Sequence, residues 1–466
     1  MRNEPERRLV EMINLARWPK VQQLREKLNG KAKAEPGYRF YLLYDKVYRE
    51  DFLEAAYAQC RRNGGAPGVD GRSFADIETY GTKRFLAELA DELREKRYRP
   101  GPVRRVLIPK GGQPGKVRPL GIPNIKDRVV QQVVKLLLEP IFEADFTDNA
   151  YGYREGKSAH DAVLDVDASL RSGYTDVVDA DLSKYFDTIP HAELMRSVER
   201  RVADRKVLWL LRRWLKVPVH ETNERGRVVI SGGKQTKAGT PQGGVISPLL
   251  ANIYFRRFLV AWEQFGWHKR YRCRIVNYAD DFVILSRGRG RAAHAAARKL
   301  IAALGLTLNE DKTRLCKAGR DAFNFLGYTF ERLYSIGGKP YLGKRPSDQS
   351  VKKYRERVRQ LTAADQTSKE ARTVVAAVNA VIRGYWNYYS LGTSSCLRWQ
   401  LNQYAWERMR IWGRRKHARP RKRTGAKRSR SGRLWAKVRE AQALLLDACR
   451  LSRHPAERRH AACLVQ

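Results

Sequence analysis

Two adjacent carboxylates, Asp280 and Asp281, stand between two short apolar runs, Ile275-Val276 and Phe282-Val283-Ile284-Leu285. The runs favour β structure, and Asn277-Tyr278-Ala279-Asp280-Asp281 between them suits a tight hairpin turn. Like charges side by side repel, and burying either is costly without a cation. Such a pair belongs in a solvated turn or in a divalent metal site. Mg²⁺ takes oxygen ligands, keeps several waters and is held by one or two carboxylates plus substrate phosphates. A third carboxylate, Asp181, ends the run Val177-Val178-Asp179-Ala180, where a plain strand cap is the alternative. Asp181, Asp280 and Asp281 on neighbouring strands could hold two Mg²⁺ ions, with Mn²⁺ as a substitute. Such a pair activates a primer 3′-hydroxyl and stabilises a leaving pyrophosphate.

Several elements would have to position these residues. Residues 103–123 read as a β-hairpin whose inner ends carry Arg105, Lys110 and Arg118. Cations on a rigid hairpin can grip a triphosphate through charge-assisted hydrogen bonds, although a solvated basic hairpin is the alternative. Val129, Val130, Val133, Val134 and Leu137 recur at helical spacing, and Glu139-Pro140 marks the expected stop. A buried helix is expected at 207–214, a hairpin arm over 217–238, and helices at 249–258 and 291–304. Gly243 and Gly244, in Gly239-Thr-Pro-Gln-Gly-Gly-Val-Ile-Ser-Pro248, would let the backbone approach a ligand closely. A strand pair is expected around 323–328. Residues 1–60 read as a basic helical extension, and the glycine-rich stretch 63–71 as a connector.

Lys plus Arg number 92 against 49 Asp plus Glu in 466 residues, a formal balance of +43. That excess favours a polyanion through counterion release and steering. No basic amphipathic helix, lipidation signal or apolar run of transmembrane length points to a membrane. The N-terminus lacks the apolar core of a signal peptide. The six cysteines show no CxxC and read as reduced thiols of a cytoplasmic protein. Beyond residue 350 the texture is helical and basic. Arg383, Tyr385 and Trp386 in Arg383-Gly-Tyr-Trp-Asn-Tyr-Tyr389 are candidate nucleic-acid contacts, with helix core as the competing use. Thirteen Lys or Arg and no acid fall between Arg408 and Arg433. That stretch reads as a flexible basic segment, with Arg414, Arg415, Lys416, Arg421, Lys422 and Arg423 as candidate phosphate contacts. Cys449, His454, His460 and Cys463 have zinc-like spacing without a knuckle to support it.

From about residue 40 to 400 the sequence resembles the reverse transcriptase/maturase proteins of bacterial group II introns. The motifs that carry the resemblance occur in order: IPKGGQPGKVRPLGIPNIKDR, DADLSKYFD, GTPQGGVISPLLANIY, NYADDFVIL, GLTLNEDKT and NFLGY, then RGYWNYY. The resemblance implies an α+β right-hand polymerase with fingers (61–170), an antiparallel palm sheet (171–335) and a helical thumb (336–405). A basic nucleic-acid-binding extension (406–466) follows. It implies that Asp181, Asp280 and Asp281 bind the metals and that Lys110 and Arg118 bind the triphosphate of a dNTP. It also places Phe186 against the sugar 2′ position, Gln242 beside the incoming nucleotide, and Lys312 where it assists pyrophosphate departure. The implied partners are intron RNA, a template RNA and a DNA primer or target. No HNH-type pattern of paired cysteines and histidines follows residue 400, so the endonuclease-lacking form is expected. Two other readings stay open: a non-catalytic splicing maturase, and a domesticated reverse transcriptase of a phage-defence or CRISPR system.

Overall fold

A computed structural model describes residues 15, 17–109, 115, 117–223, 225–335, 337–393 and 395–417. The strands are β1 (Val103–Pro109), β2 (Val117–Ile122), β3 (Asp176–Asp181), β4 (Pro218–Thr222), β5 (Val228–Gly232), β6 (Cys273–Tyr278), β7 (Asp281–Ser286), β8 (Arg314–Lys317), β9 (Phe323–Phe325), β10 (Tyr328–Tyr334) and β11 (Pro340–Pro346). They form three sheets, ordered β2-β1-β4-β5, β6-β7-β3-β8 and β11-β10-β9. The second is antiparallel throughout and is the palm sheet expected from the 177–181 and 273–286 runs. In the first, β1 pairs antiparallel with β2 and parallel with β4.

The helix Ile125–Glu143 is the hub of the larger core. Its Val129, Val130, Val133 and Val134 are fully buried, as their spacing demands. The helix does not stop at Glu139: Pro140 lies inside it and the last turn runs on to Glu143. A proline within a helix removes a backbone donor. Here Pro140, Ile141 and Phe142 are buried, and Asn29 Nδ2 donates to the Pro140 carbonyl (2.8 Å), so packing overrides the local signal. The helices Pro19–Ala34 and Glu50–Asn63 share this core and are no separate extension. Buried Arg25 ties the first of them to Glu139 (3.2 Å) and Glu155 (2.7 Å).

At the start of the hub helix Asp127 is buried and accepts hydrogen bonds from Tyr98 Oη (2.6 Å) and the Gly101 amide (3.1 Å). Trp214 Nε1 donates in turn to Tyr98 Oη (3.2 Å). Burial pushes the Asp127 carboxyl up to about 6, against the pull of those donors. A folded pKa above the unfolded value means that the folded state holds the proton more tightly. The stabilisation is therefore full below about pH 4 and is lost as pH rises through about 6. Relative to Asp127→Asn, the wild type should lose melting temperature between pH 4.5 and 7, read by thermal denaturation at both values. A wild type that instead gains on the variant with rising pH contradicts this assignment.

The chain divides into a larger unit that ends at Arg320 and a smaller one that begins at Asp321. The palm was expected to reach residue 335. The β9–β11 sheet instead belongs with the helices Asp348–Leu361, Ala371–Tyr388 and Ser395–His417. The last of these crosses the expected boundary at 405. Residues 408–417, expected in a flexible segment, are helical. Cys60, Cys273, Cys316 and Cys396 are free thiols. Among the described residues no helix is long and apolar enough to cross a membrane.

Candidate active site

The hairpin β6–β7 sets Tyr278 opposite Asp281, leaving Ala279 and Asp280 as a two-residue turn. Ala279 adopts φ +60°, a left-handed conformation that glycine would hold more cheaply. Its surroundings enforce it. Buried Asn277 donates Nδ2 to the Ala279 carbonyl (2.9 Å). The Asn277 backbone is gripped from outside: its amide donates to the Asn149 carbonyl (2.9 Å) and its carbonyl accepts from the Tyr151 amide (2.8 Å). Gly152 then lies so close that a Cβ there would collide with the Ala279 amide. Asn252 Nδ2 fixes the Gly152 carbonyl (2.7 Å). The segment 149–152 thus props the turn that carries the acids.

Asp181 ends β3 directly opposite Asp281 on β7. Partnered residues in an antiparallel pair have Cβ atoms about 5 Å apart, so these carboxylates share one mouth with Asp280. Asp181 Oδ2 accepts from Lys312 Nζ (2.6 Å) and Asn309 Nδ2 (3.1 Å). Two residues earlier on β3, Asp179 faces Arg314 of β8 across the ladder. Its carboxyl is pushed up to about 7, by burial first and then by Asp181, with Arg314 and Lys312 opposing. The Asp281 carboxyl is also pushed up to about 7, by withdrawal from bulk water and then by Asp280, Asp181 and Asp179. Solvent does reach Asp281, so the three neighbouring acids are the more durable part of that push. Negative charge that Lys312 only partly offsets, at a solvent-reached mouth of oxygen donors, is what a hard divalent cation relieves. Among the described residues no three His, Cys, Asp or Glu side chains already stand as a metal-ligating group. The aspartates line an open mouth, not a closed cage. Asp179 was legible only as an acid two positions before Asp181, hence on the same strand face.

The β2-β1-β4-β5 sheet reaches the same region through its backbone. The Gly121 amide of β2 donates to the Gln242 carbonyl (2.6 Å), and a Cβ at Gly243 (φ +117°) would collide with the Gly121 carbonyl. Gly243 was expected to admit a ligand; it admits strand β2 instead. A Cβ at Gly244 would meet Ser247 Oγ at 2.7 Å, so that glycine too serves chain packing. Arg118, three residues before Gly121, is exposed. Lys110 lies outside the described residues. Arg105, expected among the triphosphate cations, pairs with Glu221 Oε2 of β4 at 3.4 Å. Phe186 is only 7 % exposed and packs on Tyr185 and, edge to face at 6.4 Å, on Tyr153. Tyr153 was not singled out by any motif. Tyr153 is itself 44 % exposed; its hydroxyl is pushed up by partial burial and by Asp280, with Arg118 opposing, which puts the ring among Phe186, the acids and Arg118.

Residues 108–330 match the family described as "Reverse transcriptase (RNA-dependent DNA polymerase)", and residues 351–432 match "Group II intron, maturase-specific domain". Protein YkfC of Escherichia coli is 33% identical over 359 residues, covering 68% of this chain and 90% of that protein. The chain belongs to the group II intron reverse transcriptase and maturase family. Group II intron-encoded protein LtrA of Lactococcus lactis is 33% identical over 216 residues, 46% of this chain and 34% of LtrA. An uncharacterized 91 kDa protein in the cob intron of Schizosaccharomyces pombe is 24% identical, over 78% of this chain and 53% of that protein. The chain therefore spans nearly all of one relative but about half and a third of the other two.

In the region that matches the maturase-specific domain the aromatic residues pack against one another. Trp386 is 6 % exposed, and Tyr385 packs between Tyr354 (4.7 Å) and Tyr389 (4.6 Å). Trp386 is turned inward with the buried face of the helix Ala371–Tyr388, whereas Tyr385 is half-buried. Arg383 on the same helix is exposed. Arg414 and Arg415 are exposed too, whereas Lys416 donates Nζ to the Thr367 (2.8 Å) and Lys369 (2.6 Å) carbonyls and so is committed to the fold. Arg421, Lys422, Arg423 and the four Cys/His positions lie outside the described residues.

Proposed function

We propose that this chain is an RNA-directed DNA polymerase that copies intron RNA into DNA and assists the splicing of that RNA. The observation that carries the polymerase reading is Asp181 opposite Asp281 in register, with Asp280 in the adjoining turn. Asp181, Asp280 and Asp281 would hold two Mg²⁺ ions together with substrate phosphates, supplying an activated 3′-hydroxyl and charge relief at the leaving pyrophosphate. Arg118, with Lys110, binds the triphosphate of the dNTP, and Gln242 packs beside its base. Lys312, already beside Asp181, carries the charge and proton a departing pyrophosphate needs. Phe186 backs the sugar and excludes a ribose 2′-hydroxyl, while Tyr153 braces its ring. The match over 351–432 supports the intron reading over a domesticated enzyme of a defence system. Exposed Arg383, Arg414 and Arg415 are the remaining candidate contacts to RNA phosphate.

The test is extension of a DNA primer on an RNA template, with dNTPs and with rNTPs, by wild type and Phe186→Ala. The wild type should extend with dNTPs; no product there overturns the polymerase reading. Phe186→Ala should lose about 3–5 kcal/mol of stability, because its ring is packed in the core. In the protein that remains folded, the ratio of kcat/KM for dNTP over rNTP should drop, since specificity lives in that ratio. A ratio held at the wild-type value rules out the gate. For the splicing role, added protein should accelerate splicing of the parent intron RNA at low Mg²⁺, and no acceleration removes that half of the proposal.

A further inference from the structure

The palm sheet has a second end. Strands β6 and β7 are six residues each, so about 17 Å of sheet separates the catalytic turn from Cys273 and Ser286. At that far end two segments, 269–274 and 287–289, are knitted together. The Arg287 amide donates to the Arg272 carbonyl (3.1 Å), Ser286 Oγ to the Tyr271 carbonyl (2.9 Å), and Arg289 Nη1 to the Arg270 carbonyl (2.9 Å). The result is a fixed, exposed cluster of Lys269, Arg270, Arg272, Arg274, Arg287 and Arg289. Many cations elsewhere on the helices are answered singly by carboxylates, as Arg212 is by Glu199 and Arg84 by Glu88. Among the described residues none of these six has an ion pair of that kind. Two are held in place by an aromatic ring instead: the Arg274 and Arg287 guanidiniums lie 5.0 and 4.4 Å from the Tyr174 ring centroid.

Beside the cations stands an aromatic platform. Phe265 is 60 % exposed and leans on Trp267, with ring centroids 5.1 Å apart. Trp267 is itself anchored edge-on against buried Trp262 at 5.1 Å. An unanswered cation cluster tracks a phosphate backbone, and an exposed ring on a rigid base stacks a splayed base. A duplex offers the phosphates and withholds the bases, whereas a loop offers both. An acidic protein surface would answer the cations and leave the rings without a purpose.

We propose that the end of the palm remote from the acids binds an unpaired loop of a folded RNA, with phosphates on the 269–274 and 287–289 cations and a base on Phe265. This rests on the reading of the chain as a partner of intron RNA. It goes further by assigning that RNA a second contact on the polymerase body, away from the primer and the dNTP.

The test uses the full chain and two probes of equal length, an RNA stem-loop and a blunt RNA duplex. Arg270→Gln, Arg272→Gln and Arg289→Gln combined should lower the slope of log affinity against log salt by about two to three, for three lost phosphate contacts. Phe265→Ala should weaken the stem-loop by about five- to a hundredfold, leave the salt slope unchanged and leave the blunt duplex unaffected. Primer extension on a saturating template–primer should stay at the wild-type rate in both variants, which also shows that they fold. An unchanged salt slope, or a Phe265→Ala loss equal on both probes, overturns the proposal while extension stands. Failure of wild-type extension instead sinks the polymerase reading and leaves this surface to be judged by binding alone.

Discussion

Asp281→Ala should leave primer extension at least about a hundredfold slower while the protein still binds nucleic acid. The size follows from what is removed: one negatively charged oxygen donor aimed at the point where charge develops, in a site where preorganised electrostatics dominate the rate. Asp280→Ala should act alike, since the same turn delivers both groups. Binding should move the other way. Each substitution deletes a negative charge beside the path of a polyanion, so RNA affinity should hold or rise slightly, with an unchanged salt slope. Extension rates and a filter-binding titration on one preparation separate the two effects. Wild-type extension in both variants would sink the assignment of these aspartates, and a parallel collapse of binding would mark a folding defect.

The acids were legible because each sits where a β-favouring apolar run breaks off, and because a charged pair has few uses other than a cation site or a solvated turn. Register was legible for the same reason: shifting β7 by one residue would turn Phe282 and Ile284 away from the core they fill. The supports of the site were not legible. Asn277 reads as one more polar residue in a turn, yet it joins the hairpin to a segment more than a hundred positions upstream. Nothing local in Asn149-Ala150-Tyr151-Gly152 announces that pairing. Tyr153 and Asp179 are likewise functional candidates by place alone.

Where the sequence reading went astray, a long-range interaction outweighed a local signal. Pro140 marked a stop, but the burial of Ile141 and Phe142 carries the helix past it. The aromatic residues around Trp386 suggested a stacking surface, but helical spacing puts Trp386 on the buried face and leaves Tyr385 half-buried. Lys416 belonged to a basic run that suggested a phosphate contact, and two backbone carbonyls claim it. Gly243 promised room for a ligand, and the room is taken by strand β2.

Gly152 offers the sharpest test of the idea that the turn is positioned from outside. A methyl group there would collide with the Ala279 amide and stand 3.0 Å from the Tyr278 carbonyl carbon, both backbone atoms of the turn that carries Asp280. Neither a rotamer change nor a flexible side chain can absorb that, so the turn itself has to shift. Overpacking of this kind costs about 1–3 kcal/mol of stability. The cost to chemistry should be larger, because displacing a catalytic group by about 1 Å can lower the rate about a hundredfold. Gly152→Ala should therefore reduce kcat by about that factor with only a few degrees lost in melting temperature. KM for dNTP should change little, since Arg118 and Gln242 lie on other elements. Gly37→Ala, where a Cβ meets nothing within 4 Å, is the control and should be neutral in both measurements. A Gly152→Ala enzyme with wild-type kcat, or one whose activity falls only in proportion to its unfolded fraction, would show that segment 149–152 packs on the hairpin without placing Asp280 and Asp281.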